Sequence, residues 1–230
     1  MNEYPLTILF SILEEYIEHK RITKIKEWGV INSSKLVVIL LDGMGKKEFR
    51  YLLNQVKSMT KAKVQSLVNS TPNTISAYKQ IFHRGNESID KILVKNKQKM
   101  LLVDNRAELS LFKDSNKKIV RNDDAIALET ITNNVYNYDL FWLHLMSIDH
   151  AEHKGENIRH QIIDLAKNIE TFLQKMPKNV GVIFFGDHGP HARKYDFKGV
   201  LSKHDKNRVL KDAQKKRISA SQTSILIIEC

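Results

Sequence analysis

The sequence predicts an α/β protein with a mostly parallel central sheet and helices on both of its faces. Three observations carry that expectation. Short runs such as Lys35–Leu41 and residues 180–185 are apolar without alternation, as strands covered on both faces are. Helical spacing lies between such runs. It is clearest over residues 156–176, where Ile158, Ile162, Leu165, Ile169, Phe172 and Met176 recur at steps of three and four until Pro177 stops the pattern. Finally, a chain of 230 residues that is 42% hydrophobic and 27% charged, with 9 glycines and 4 prolines, can build a sizeable core, which excludes a linker, a collagen-like chain or a low-complexity tail.

Taken in order, residues 6–17 have helical apolar spacing, and Lys35–Leu41 is the first buried strand, ended by Asp42 and Gly43. Residues 46–59 return to a helical pattern through Phe49, Leu52, Leu53 and Val56, and residues 64–68 read as the next strand. A short apolar run at 100–103 is a further strand. Residues 123–132 predict a helix opening on Asp123 and Asp124, which suit the positive end of a helix. Residues 139–145 and 180–185 are strands flanking the long helix. Residues 194–220 are rich in lysine and arginine and read as a long loop or flap, and residues 225–228 supply a last strand, expected at a sheet edge. There is no internal repeat and no linker-like boundary, so residues 1–230 are expected to form one domain.

Several classes are excluded. The longest apolar runs have six or seven residues, against the roughly 20 of a membrane-spanning helix. Residues 5–13 are apolar but meet Glu14 and Glu15 at once, with no basic leader and no small-residue cleavage site, so a cytoplasmic location is expected rather than a signal peptide. The single cysteine, Cys230, cannot make an intrachain disulfide or a thiolate metal cluster. The net charge of +11 and pI near 9.6 give a field that attracts polyanions such as nucleotides, nucleic acid or anionic lipid. A solvated lysine surface gives the same charge, so charge alone selects no function. Nothing in the sequence sets the oligomeric state.

The chemistry lies where the buried strands end. Asp42 follows residues 36–41, Asp149 follows residues 140–145 after a short turn, and Asp187 with His188 follows residues 180–185. Open α/β sheets bind ligands beyond these ends. One aspartate there is more often a helix cap or turn former than a ligand. Three carboxylates on one rim, with His153 four residues after Asp149 and His188 adjacent to Asp187, are a different matter. Anions crowded together repel, and a divalent cation offsets that repulsion. Carboxylate and imidazole ligands without thiolate suit zinc or manganese. A pair of such ions about 3.5–4 Å apart is a device for in-line phosphoryl displacement.

Residues 37–45 (VVILLDGMG), 70–82 (STPNTISAYKQIF), 148–155 (IDHAEHKG) and 185–189 (FGDHG) together resemble, in order and spacing, the alkaline phosphatase superfamily, in particular its type I phosphodiesterase and nucleotide pyrophosphatase branch. The resemblance spans about residues 35–204 and implies an alkaline-phosphatase-like core holding two divalent ions. It makes Asp42, Asp187 and His188 ligands of one ion, and Asp149 and His153 ligands of the other, with His204 as the later histidine of the second site and His191 as its rival. The nucleophile it implies is Thr74, at a helix start and bound to the first metal, with Ser70 as the alternative. The implied activity is metal-dependent cleavage of phosphodiesters or nucleotide pyrophosphates. Phosphomonoester hydrolysis is the alternative within the superfamily, and a basic nucleic-acid-binding protein with a degenerate site is the alternative outside it.

Some positions depart from the family pattern. His150 and Glu152 stand where the family has variable residues and glycine, Gly186 replaces the serine before the Asp-His pair, and the chain is short, a minimal core without an obvious cap insertion. Elsewhere, His144 reads as a satisfied core histidine, Phe141 and Trp142 as core, and His83 and His160 as surface residues. Asn105 and Arg106 follow the strand at 100–103 and could reach a phosphate, but nothing in the sequence requires it.

Overall fold

The computed structural model describes residues 3–60, 62–69, 74–104, 109, 112, 117–121, 123–189 and 222–230. Twelve strands are described: β1 (Glu3–Pro5), β2 (Arg21–Ile22), β3 (Ile31–Asn32), β4 (Lys35–Leu41), β5 (Lys63–Val68), β6 (His83–Arg84), β7 (Glu87–Ser88), β8 (Met100–Asp104), β9 (Lys117–Val120), β10 (Leu140–Leu145), β11 (Val180–Gly186) and β12 (Gln222–Glu229). The described α-helices are α1 (Ile8–His19), α2 (Lys46–Gln55), α3 (Thr74–Phe82), α4 (Ile89–Lys95), α5 (Asp124–Asn134), α6 (Ser147–Lys154) and α7 (Ile158–Lys175). Eight strands form one sheet in the order β1-β5-β12-β11-β4-β10-β8-β9, and β2 with β3 and β6 with β7 make separate small ladders.

Every pairing in the large sheet is parallel except those of β12, which runs antiparallel to both β11 and β5. The lack of alternation in β4 has its reason here. Leu36, Val38 and Leu40 enter one hydrophobic core, shared with α1, α3 and α4, while Val37, Ile39 and Leu41 enter a second, shared with α2, α5 and α7. Helices on both faces leave no strand face for water.

Most sequence-predicted elements appear within a few residues of their expected bounds. The run expected at 46–59 is α2 followed by a 3₁₀ turn at Lys57–Met59, and Asp123 caps α5 by accepting a hydrogen bond from the Ile126 N–H at 2.9 Å. The last strand corrects an expectation. β12 lies inside the sheet, between β11 and β5, and not at an edge. The physical reason is that β12 pairs its backbone with β11 on one side and β5 on the other, so it presents no open edge, while Ile225 and Ile227 fill one core and Leu226 fills the other. Residues 194–220, read from sequence as a loop or flap, lie outside the described residues.

Because β4, β5, β8, β10 and β11 are all mutually parallel, their C-terminal ends share one rim. No described helix is long and apolar enough to cross a membrane.

Candidate functional site

At the end of β4 the chain turns sharply. The Asp42 N–H still bonds the Leu145 carbonyl of β10 at 3.0 Å, and the Met44 N–H closes a turn on the Leu41 carbonyl at 3.3 Å, with Gly43 at φ +71°. That left-handed conformation suits glycine. The turn packs between its neighbours. A Cβ at Gly43 would sit 3.1 Å from Asp149 Cα, and one at Gly186 would sit 2.1 Å from the Met44 carbonyl oxygen. Gly186 therefore stands where the resemblance expects serine because the Asp42 turn occupies the space of a side chain.

The turn delivers Asp42 to Asp187 and His188 at the end of β11. All three are buried, and one ligand atom of each lies within 4.8 Å of the others. His188 Nε2 is 3.1 Å from Asp42 Oδ1 and 3.6 Å from Asp187 Oδ2. Its Nδ1 lies 3.0 Å from the Gly189 carbonyl, to which it donates, so Nε2 is the nitrogen turned toward the carboxylates. The Asp187 backbone is held as well, by the Asn69 side chain beyond β5, whose Nδ2 donates to its carbonyl at 2.9 Å. Thr74, the first residue of α3, brings its hydroxyl 3.4 Å from Asp42 Oδ1.

The electrostatics follow from this crowding. Burial pushes the Asp42 carboxyl up, but hydrogen bonds and positive charge from His144 and His188 outweigh it and hold Asp42 well below the usual carboxylate range. Asp187 is pushed up to about 7 by burial and then by the Asp42 charge, against smaller opposing effects of His188, His144 and the Thr74 hydroxyl. His188 is raised to about 9, because its Asp42 hydrogen bond and the two carboxylate charges override burial. His188 Nε2 thus stands beside both carboxylates, where positive charge offsets their repulsion. Asp187 Oδ2 is buried without a hydrogen-bond donor among the described residues. Two carboxylates, one of them with an orphaned oxygen, and one imidazole make a donor set that fits a divalent ion.

Asp149 and His153 are carried on α6, one turn apart. Asp149 Oδ2 and His153 Nε2 are 3.3 Å apart, with the His153 side chain 63% exposed. The start of α6 is fixed from α5, since the Asp124 carboxylate accepts from the Met146 and Ser147 N–H groups at 3.0 and 3.2 Å. Asp149 abuts the Asp42 turn at Gly43, yet only Asp42, Asp187 and His188 form a three-residue cluster of ligand type among the described residues. His204, His191, Ser70, Asn105 and Arg106 lie outside the described residues.

Behind Asp42 stands a group that the sequence reading left out. His144 of β10 is a buried core histidine, as expected, but it is also part of the site. Its Nε2 is 2.9 Å from Asp42 Oδ2 and its Nδ1 is 2.8 Å from Asp104 Oδ1. Asp104 ends β8 just as Asp42 follows β4, and that shared position after an apolar run is the signal that could have found it.

No family model and no curated protein sequence matches the chain. Solved structures do. The C-terminal periplasmic domain of EptC from Escherichia coli, solved with zinc, superposes with a TM-score of 0.56 at 13% identity, covering 86% of this chain and 74% of that one. The PH0037 protein of Pyrococcus horikoshii gives 0.54 at 11% identity, with 86% of each chain covered. A protein of the alkaline phosphatase superfamily from Vibrio parahaemolyticus gives 0.54 at 11% identity, covering 86% of this chain and 60% of that longer one.

The chain shares its fold with a protein of the alkaline phosphatase superfamily. Within that superfamily frame, the turn after β4, the segment after β11 and the start of α3 are the places where the sequence motifs put Asp42, Asp187 with His188, and Thr74. The fold brings these four together. Asp149 and His153 lie beside them as a pair on α6.

Proposed function

We propose that this chain cleaves phosphate esters at a divalent metal centre, with Thr74 as the nucleophile and with phosphodiesters or nucleotide pyrophosphates as its preferred substrates. The observation that carries this reading is the Thr74 hydroxyl, set at a helix start 3.4 Å from a carboxylate of the buried Asp42, Asp187 and His188 cluster. Those three residues would hold one ion, and Asp149 and His153, with His204, would hold a second. Bound there, the ions would supply Lewis-acid polarisation of the phosphoryl group and acidify the attacking hydroxyl.

The protein's own residues contribute the rest. Asp42, held far below the usual carboxylate range, is a poor proton acceptor, so it orients the Thr74 hydroxyl as a hydrogen-bond acceptor rather than as a base. The first turn of α3 offers backbone N–H groups to a phosphate oxygen. His188, fixed by its Nδ1 contact with the Gly189 carbonyl, keeps Nε2 directed into the site. The net charge of +11 supports an anionic substrate.

The decisive experiment is hydrolysis of bis(4-nitrophenyl) phosphate by the full chain, before and after chelation and with zinc or manganese restored. Zinc is tried first because the Escherichia coli EptC domain was solved with it. Turnover that disappears with the metal and returns with it is the expected result. Faster cleavage of 4-nitrophenyl phosphate would instead favour the monoesterase alternative, and nucleic acid bound without any turnover would favour the binding-protein alternative. A second reading, transfer to an acceptor alcohol rather than to water, is favoured by likeness to the Campylobacter jejuni phosphoethanolamine transferase EptC domain, at a TM-score of 0.53 and 9% identity. Added ethanolamine or glycerol that raises nitrophenol release and captures the phosphoryl group would select it.

A further inference from the structure

Beneath the cluster, polar side chains continue inward along one line from Asp42 to His144 to Asp104. His144 and Asp104 are 2% and 0% exposed. Asp104 accepts at both oxygens, from His144 Nδ1 at 2.8 Å, from Trp142 Nε1 at 3.1 Å and from the Tyr78 hydroxyl. The Tyr78 oxygen in turn accepts from Trp142 Nε1 at 3.0 Å. Each imidazole nitrogen of His144 therefore faces a carboxylate oxygen, and the ring donates in both directions. The Asp42 carboxylate is divided by this arrangement. Oδ2 is taken by His144 at 2.9 Å, while Oδ1 faces His188 at 3.1 Å and Thr74 at 3.4 Å.

We propose that Asp104 and His144 are positioning residues that present Asp42 to the metal through Oδ1 alone. The inference rests on the metal reading above and adds a device to it. If Asp42 swung to offer both oxygens to one ion, it would strip the Nε2 donor of His144 of its acceptor inside a dry core, and a buried unpaired donor is costly. Asp104 closes the other side, because its three donors leave it no freedom to turn away from Nδ1. Trp142 and Tyr78 extend that restraint into the aromatic core, where their rings meet edge to face with centroids 5.2 Å apart. The result is a carboxylate ligand with its denticity and direction set by side chains that touch neither metal nor substrate.

The test uses the full chain and two readouts other than turnover: zinc affinity, by competition with a chromophoric chelator, and the visible spectrum of the cobalt-substituted protein, which reports coordination number. His144→Gln and Asp104→Asn are expected to weaken zinc binding by roughly 10–100-fold, the usual cost of losing a residue that supports a ligand. Both should also shift the cobalt bands as Asp42 gains a second contact. A role in packing alone would lower the melting temperature and leave affinity and spectrum at parental values, and that result overturns the proposal. Should His144→Gln fail to fold, Asp104→Asn decides by itself, since it keeps volume and an acceptor oxygen. The metal reading fails separately: if the parent chain binds neither zinc nor cobalt, both ideas are overturned, whereas parental binding in the parent and in both variants overturns only the positioning role.

Discussion

The Thr74 hydroxyl and Asp42 Oδ1 lie 3.4 Å apart across thirty-two positions of chain. One residue begins a helix and the other follows a buried strand, and the parallel sheet brings both to one rim. The expected behaviour of Thr74 follows from that placement. Thr74→Ala should keep fold and metal content, because the carboxylates and imidazole remain, yet lower phosphodiester turnover by roughly 10³-fold or more. Thr74→Ser should retain part of the activity. Parental rates in Thr74→Ala would reassign the nucleophile, and a parallel loss in Ser70→Ala would reassign it to Ser70.

Asp187 should show opposite effects on stability and on binding. It is buried beside Asp42 and pushed up to about 7 by burial and that neighbouring charge, so above that pH the two carboxylates repel. Asp187→Asn removes the repulsion, so the metal-free variant should melt as high as the parent or a few degrees higher, at about 2–4 °C per kcal/mol for a chain of this size. Zinc affinity should fall by more than the roughly 10–100-fold loss that a supporting residue causes. Calorimetry of metal-free and zinc-loaded samples measures both quantities, and a metal-free variant that melts well below the parent would contradict the assigned repulsion.

The pH dependence of the metal-free protein carries a definite sign. A carboxyl raised from 3.8 to about 7 binds its proton more tightly when folded, so its contribution is present below 3.8 and is lost as pH rises toward 7. His188, raised from 6.5 to about 9, contributes fully below 6.5, and that contribution is lost as pH rises through 9. Melting temperature should therefore fall from pH 6 to 9 after chelation. Zinc should flatten the fall, because the bound ion takes over from the protons between the carboxylates. Equal slopes with and without zinc would count against ion binding at this cluster.

Gly186 tests the packing of the turn that carries Asp42. A methyl group there would lie 2.1 Å from the Met44 carbonyl, so either the turn or the end of β11 must move. Gly186→Ala should cost about 1–3 kcal/mol, the usual range for overpacking, and should weaken zinc binding through displacement of Asp42. Denaturant unfolding and zinc competition check the two effects, and a variant equal to the parent in both would show that the turn yields without disturbing the site.

Much of this protein was determined by local sequence. Continuous apolar strands and the three-and-four spacing of residues 156–176 specify an α/β chain, because a strand covered on both faces and a helix with one buried stripe need those patterns. The four motifs specify which carboxylates, histidines and hydroxyl stand at strand ends and at a helix start. Tertiary structure decided the rest. Strand order is a matter of pairing between distant segments, so the interior, antiparallel place of β12 was hidden until both faces of Ile225, Leu226 and Ile227 were seen to be covered. The bond from His144 to Asp42 and Asp104 was hidden for the same reason. Its partners lie 102 and 40 positions away, and no local periodicity records that three neighbouring strands place their side chains in one line.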